Sequence, residues 1–158
     1  MDHVQARTDF TGSVPQSNIL VMGLPSGSAR EAIRAILKRR GHSVEFAPAD
    51  TSVIAQLESA DFIDLLVLEL DIHDIEAVQL CAQLRQVTIA PLLVVVPETG
   101  RNQGIQALEL GADSFVAAPF DRRELVARSE ALIRRYRHMV GTMAAGAYPS
   151  GSRPAASR

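Results

Sequence analysis

LLVLELDIHDIEAVQLCAQLRQVTIAPLLVVV, residues 65–96, decides the fold. Its two ends, 65–70 and 92–96, are short aliphatic runs without polar alternation, as expected of strands covered on both faces. Between them Ala77, Leu80, Cys81 and Leu84 recur at helical spacing over 74–86. Strand, helix and strand in that order read as one right-handed crossover between parallel neighbours.

The same alternation continues outward. Upstream, 19–22 is a strand, and Ser28 opens a helix with Glu31 three residues on to complete a capping box. Ala29, Ile33, Ile36 and Leu37 share one face of that helix, and Gly41 stands where a left-handed C-cap is wanted. Residues 44–47 form a second strand and 51–60 a second helix. Downstream, 102–110 is a helix ending at Gly111, and 114–117 is the fifth strand. Asp121 caps the last helix, which runs to about residue 138, with Glu124 at its third position and Phe120 and Leu125 placed as a hydrophobic staple. Five strands alternating with five helices predict an α/β three-layer sandwich with a doubly wound parallel sheet. Its expected strand order is the flavodoxin-like 2-1-3-4-5. The crevice of such a sheet lies beyond the carboxyl ends of the first and third strands, at residues 23–28 and 69–76.

The 158 residues carry a formal charge of −2 and are 47% apolar, which suits one globular domain. The longest aliphatic run is the five residues 92–96, far short of the roughly 20 a membrane span needs, so no membrane association is expected. No apolar stretch follows a basic start, so no secretory leader is expected. Cys81 is the single cysteine. It excludes an internal disulfide and a multi-cysteine zinc site, and it fits a reducing cytoplasm. Residues 1–17 are polar and aperiodic. Thirteen of the eighteen residues in 141–158 are Gly, Ala, Pro or Ser. Both ends are expected to be disordered tails, the second a tail or linker, around a domain at 18–140.

The domain core resembles the receiver domain of bacterial response regulators in LLVLELDIHDIEAVQLCAQLR, APLLVVVP, ALELGADSFVAAPFDRREL and LIRRYR. The resemblance implies phosphoryl transfer from a histidine kinase to an aspartate at the end of the third strand. It also implies two acids for Mg²⁺ after the first strand, a hydroxyl after the fourth and a lysine after the fifth. This chain departs at each position. The acid pair falls on Gly23 and Leu24, the acceptor on Glu69, the hydroxyl on Val96 and the lysine on Ala118. Lys38, in the first helix, is the chain's single lysine, so no shift of alignment restores the missing one. A transferred phosphoryl group would lack both a metal cage and a neutralising cation. The expectation is a degenerate pseudo-receiver: not an enzyme, with no cofactor and no metal, acting through protein contacts.

Glu69 has two readings, a permanent charge imitating phosphoaspartate or a carboxylate left behind by a decayed site. The second is favoured, because the hydroxyl and lysine that would sense the charge are replaced. Phe115 stands at the family's switch aromatic, where a phenylalanine is more often simply packed. Asp71, Asp74 and Glu76 read as a solvated acidic loop, and residues 23–28 match no phosphate-binding fingerprint. His3, His42, His73 and His138 show no ligand spacing. Ala118-Pro119 resembles a step that is usually cis in the family.

Charge is uneven. Residues 58–76 hold seven acids and no Lys or Arg, whereas the first and fifth helices are rich in arginine. Those helices should be neighbours, offering a basic docking face or simply a solvated one. The overall acidic balance and few aromatics make nucleic acid an unlikely partner for this chain alone. Glu109, Asp113, Glu124 and Arg128 match positions through which receivers that precede winged-helix domains pair. A homodimer through the fourth helix, fifth strand and fifth helix is therefore expected. The alternative is the receiver part of a winged-helix transcriptional regulator whose DNA-binding domain is absent from this chain.

Overall fold

The structure is a computed structural model that describes residues 15–23, 28–59, 62–71 and 75–144. Leu24, His3, His73, Asp74, the first fourteen residues and those after 144 lie outside the described residues.

Five strands form one parallel sheet: β1 (Asn18–Met22), β2 (Ser43–Ala47), β3 (Leu65–Glu69), β4 (Leu92–Val96) and β5 (Ser114–Ala117). Their order is β2-β1-β3-β4-β5, as expected from the sequence. The helices are α1 (Ser28–Arg39), α2 (Ser52–Ser59), α3 (Ile75–Val87), α4 (Arg101–Glu109) and α5 (Arg122–Ala144).

Strand period splits the core in two. Ile19, Val21, Leu65, Val67, Leu93 and Val95 point to one face, where Ile33 and Leu37 of α1 and Leu125 and Ile133 of α5 cover them. Leu20, Met22, Leu66, Leu68, Val94 and Val96 point to the other, against Val53, Leu80, Leu84 and Ala107 of α2, α3 and α4. All of these are 1% exposed or less, except Leu80 at 2%. That is why β3 and β4 read as unbroken apolar runs.

The helix ends follow the sequence in most places. Gly41 (φ 92°) and Gly111 (φ 119°) both take the left-handed conformation after α1 and α4. Asp121 Oδ1 accepts the Arg123 N–H at 2.6 Å, as an N-cap should. Glu124 does not complete a capping box, because its carboxylate accepts from Arg128 Nε at 3.0 Å instead. Phe120 and Leu125 join the same apolar cluster. The Ala118-Pro119 bond is cis.

α5 differs most from expectation. It continues to Ala144, past both residue 138 and the 140/141 boundary assigned to the tail. Composition understates it, because no proline interrupts the chain until Pro149. Thr142 also satisfies its hydroxyl on the His138 carbonyl at 2.8 Å.

Two charged networks hold α5 in place. Asp64 is fully buried just before β3, where it accepts from Asn18 N–H at 2.8 Å and from Arg137 Nε at 3.0 Å. Across the sheet's amino edge, Glu130 receives Arg40 through two nitrogens at 2.8 and 2.9 Å. His42, also buried, meets Glu130 Oε2 through Nε2 at 3.1 Å. His42 Nδ1 accepts the Ser17 N–H at 3.2 Å, so the ring hydrogen sits on Nε2 and is donated to Glu130. Thus α1 and α5 are neighbours, as expected for this fold, and part of their charge serves packing.

Candidate functional site

Parallel strands that end together bring distant residues to one edge. The carboxyl ends of β1 and β3 carry Gly23 and Glu69, and those of β4 and β5 carry Val96 and Ala118. Register ties them: Glu69 pairs with Val95, Val96 with Ala117, and Ala118 N–H donates to the Val96 carbonyl at 2.7 Å. Four of the five positions singled out from the sequence therefore gather at one rim. Leu24, the fifth, lies outside the described residues.

A crevice of about 610 Å³ opens at this rim, lined by Gly23, Asp50, Glu69, Asp71, Glu76 and the α3 face around Ala77. Gln103 of α4 donates to the Asp71 carbonyl at 3.2 Å and fixes its far wall. At one end, Asp50 caps α2: it accepts from the Ser52 hydroxyl and from the Ser52 N–H at 2.8 Å, and these two bonds, the hydroxyl's first, hold its carboxyl below the usual carboxylate range.

Glu69 fills the space that matters most. A Cβ built on Gly23 would stand 2.9 Å from Glu69 Oε1 and 3.2 Å from Glu69 Cβ. The glutamate thus lies over the glycine, and it is longer than an aspartate by one methylene. Its Oε1 is buried and has no hydrogen-bond partner among the described residues. Burial pushes the Glu69 pKa up; the charge of Arg30 opposes this and that of Asp71 reinforces it.

The charge of Arg30 reaches Glu69, which the sequence reading did not foresee, although Arg30 is not among the residues that line the crevice. It lies in the first turn of α1, with its guanidinium 4.1 Å from the centroid of Phe46 on β2. The sequence counted it among the basic face of α1. The clue that would have separated it is its position just after the crevice loop, one turn ahead of Arg34. Arg30 does not replace the missing lysine. It acts from the β2 edge, whereas Ala118 follows β5 at the opposite edge.

The residues present do not fit a divalent cation. Gly23 offers no side-chain oxygen, and among the described residues no group of three or more His, Cys, Asp or Glu side chains could hold a metal. Val96, 1% exposed, offers no hydroxyl for a phosphoryl oxygen.

Phe115 is half-buried on β5 and packs against α4. A Cβ on Gly104 would come within 2.6–2.7 Å of its ring, so the helix can approach only because that residue is glycine. Gly104→Ala should move the ring and cost about 1–2 kcal/mol, overpacking outweighing the gain in helix propensity. Thermal unfolding, with the Phe115 ring resonances followed by NMR, checks this.

The four residues of the expected pairing face are all exposed. Within the chain Arg128 already meets Glu124 and donates to Ser114 Oγ at 3.2 Å. Asp113 Oδ2 accepts the Leu92 N–H at 2.8 Å. Beside them Ile105 and Leu108 of α4 are 39% and 40% exposed.

Comparison with known proteins agrees with this fold. The response regulator receiver domain family matches residues 26–130. The transcriptional regulatory protein CseB of Streptomyces coelicolor is 33% identical over 125 residues, covering 77% of this chain and 53% of that protein. The regulatory protein VanRc of Enterococcus gallinarum is 36% identical over 106 residues, covering 67% and 46%. The chain spans about half the length of the curated relatives it matches. Among solved structures, a two-component response regulator from Clostridium difficile superposes with a TM-score of 0.65 at 25% identity, over 76% of this chain and 98% of that one. The receiver domain of TorR gives 0.66 at 24%, over 77% and 99%.

Proposed function

Because the chain belongs to the response regulator receiver domain family, we propose that it is a signalling module of that family that works without phosphoryl transfer. The observation that carries this reading is the seating of Glu69 over Gly23. A Cβ at position 23 would crowd the glutamate, whose carboxylate now occupies the space a metal ligand there would need. Val96 and Ala118 leave the incoming charge without a hydroxyl or an ammonium. Arg30 supplies one positive charge from the β2 side, and a single cation at the wrong edge does not replace the missing set. The module then acts by protein contact, with a partner or a second copy.

Self-association through α4, β5 and α5 is supported by the exposed Ile105 and Leu108 flanked by Glu109, Asp113, Glu124 and Arg128. A two-fold axis would let Arg128 exchange its local partner for one across the interface.

The expected result is that Mg²⁺ with acetyl phosphate or beryllofluoride leaves the intact mass and the amide spectrum around Glu69 unchanged. Glu69→Asp alone should not change that outcome. A phosphorylated species in either protein would overturn the reading. Sedimentation equilibrium of the chain and of Leu108→Glu tests the pairing face, with dimer expected for the first and monomer for the second.

A second reading is favoured by the relatives. CseB, and ResD of Bacillus subtilis at 28% identity, are transcriptional regulatory proteins about twice as long as the part matched here. On that reading the chain is the receiver part of a transcriptional regulator. A winged-helix coding segment continuous with it would decide in its favour.

A further inference from the structure

The face opposite the crevice, at the amino ends of β4 and β5, carries an apolar groove that the receiver chemistry does not use. Ile89 and Pro91 before β4 form one wall and Leu132, Tyr136 and Met139 of α5 the other, around a cavity of about 190 Å³. Tyr136 forms the floor, and Phe62 stacks on it with ring centroids 5.5 Å apart. Several large apolar side chains stay open to solvent here: Ile89 is 58% exposed, Phe62 48%, Met139 41% and Met143 61%. Leu132, Tyr136, Met139 and Met143 follow one another at intervals of four, three and four, so they form one stripe along the last turns of α5. Leu132 and Tyr136 are buried at its inner end and Met139 and Met143 exposed at its outer end, so the core face of the helix runs out into solvent beside the groove, which marks an interaction surface rather than scattered surface apolarity.

Size and charge select the occupant. The cavity is smaller than the roughly 300 Å³ at which small-molecule pockets begin, and it suits an anchoring side chain. Residues 131–144 carry Arg134, Arg135 and Arg137, with His138, and no carboxylate. Arg135 lines the groove itself. Asp113, the one acid in the lining, faces Arg85 at 3.9 Å and the Leu92 N–H at 2.8 Å. Arg137 is held by Asp64, but two copies joined through this half of α5 would set Arg135 of one groove against Arg135 of the other, which works against a second copy. An aliphatic stripe between the arginines works equally against a bare polyphosphate. Methionines repack to fit an irregular apolar surface.

We propose that this groove docks an amphipathic helix of a partner protein, with an apolar face seated between Ile89 and Met139 and acidic residues along its flanks. The site lies at the far end of α5 from Glu124 and Arg128. It shares only Asp113 with the expected pairing face and stands whether or not Glu69 accepts a phosphoryl group.

The test is fluorescence anisotropy with the full chain and three labelled probes: a Leu-faced helical peptide with Glu flanks, its Lys-flanked analogue and a mixed-sequence DNA duplex. The Glu-flanked peptide should bind at about micromolar concentration. Met139→Glu should weaken it about tenfold or more, equivalent to at least ~1.4 kcal/mol. Arg135→Glu should narrow or reverse the preference over the Lys-flanked analogue. Met139 and Arg135 are both exposed, and circular dichroism with thermal unfolding checks that the variants fold. The proposal is overturned by any of four results: no binding of the Glu-flanked peptide at about 1 mM, equal binding of both peptides, binding that survives Met139→Glu in a folded variant, or displacement of the peptide by the duplex.

Discussion

Asp64→Ala should be the most damaging single change away from the aliphatic core, lowering the unfolding free energy by about 3–5 kcal/mol. Asp64 is wholly buried, and its carboxylate is the acceptor for both the Asn18 N–H and the Arg137 guanidinium. Removing it orphans a backbone donor at the start of β1 and strands a cation that is only partly exposed. Arg137 can turn some of its charge to water, which places the cost toward the lower end of that range. At about 2–4 °C per kcal/mol for a chain of this size, the melting temperature should fall by roughly 10 °C. Asp64→Asn keeps an acceptor for Asn18 and should lose less than half as much. Urea unfolding of the three proteins decides the matter. A loss below about 1 kcal/mol for the alanine variant would mean that α5 is held by apolar packing alone.

Glu130→Ala should cost about 3 kcal/mol at neutral pH, because it leaves His42 Nε2–H buried without an acceptor and Arg40 without its two-point partner. The pH dependence has a definite sign. Burial by itself raises the Glu130 pKa, but hydrogen bonds from Arg40 and His42 outweigh it and hold the carboxyl below its ordinary value. A depressed folded-state pKa adds stability above the unfolded value, near 4.5, and that stability drains away as pH falls from there toward the folded value. Glu130→Gln should therefore lie below the parent protein at pH 7 and approach it as the solution is acidified. Glu69 has the opposite sign. Its pKa is raised, chiefly by burial, so its ionisation penalises the folded state above about 4.5 and the penalty lifts on acidification. Glu69→Gln should be neutral to mildly stabilising at pH 7 and converge with the parent at low pH. Denaturant titrations from pH 3 to 8 separate the two (roughly, from the carboxylate and histidine ranges).

How far these features could be read from the sequence depends on the range over which each is determined. The strands followed from local pattern, because β3 and β4 are covered on both faces and announce themselves as unbroken aliphatic runs, and their order followed from the few topologies that right-handed crossovers allow. The rim positions Gly23, Glu69, Val96 and Ala118 were legible through the resemblance to receiver domains, which assigns each a place beside the carboxyl end of a strand. The charged networks were not. Asp64 looked like one more acid in an acidic stretch, and Arg137 like one more arginine on a basic helix. Only the fold joins residues 73 positions apart. Arg30 was hidden for the same reason, being one of four basic residues on α1 until the helix is laid beside β2 and Phe46. His42 showed no ligand spacing, and its role is to bridge Ser17 and Glu130. The end of α5 was misjudged because small residues suit a loose tail and a helix equally well.

The packing of Glu69 against Gly23 makes the two positions a matched set, like a bolt and its recess. Installing aspartate at 23 first drives a new Cβ into the glutamate. Shortening the glutamate first empties the recess without supplying anything to coordinate. Each step is unproductive until the other has been taken, so the present pair behaves as a ratchet, and an engineer rebuilding an acidic triplet at this rim should exchange both residues in one move.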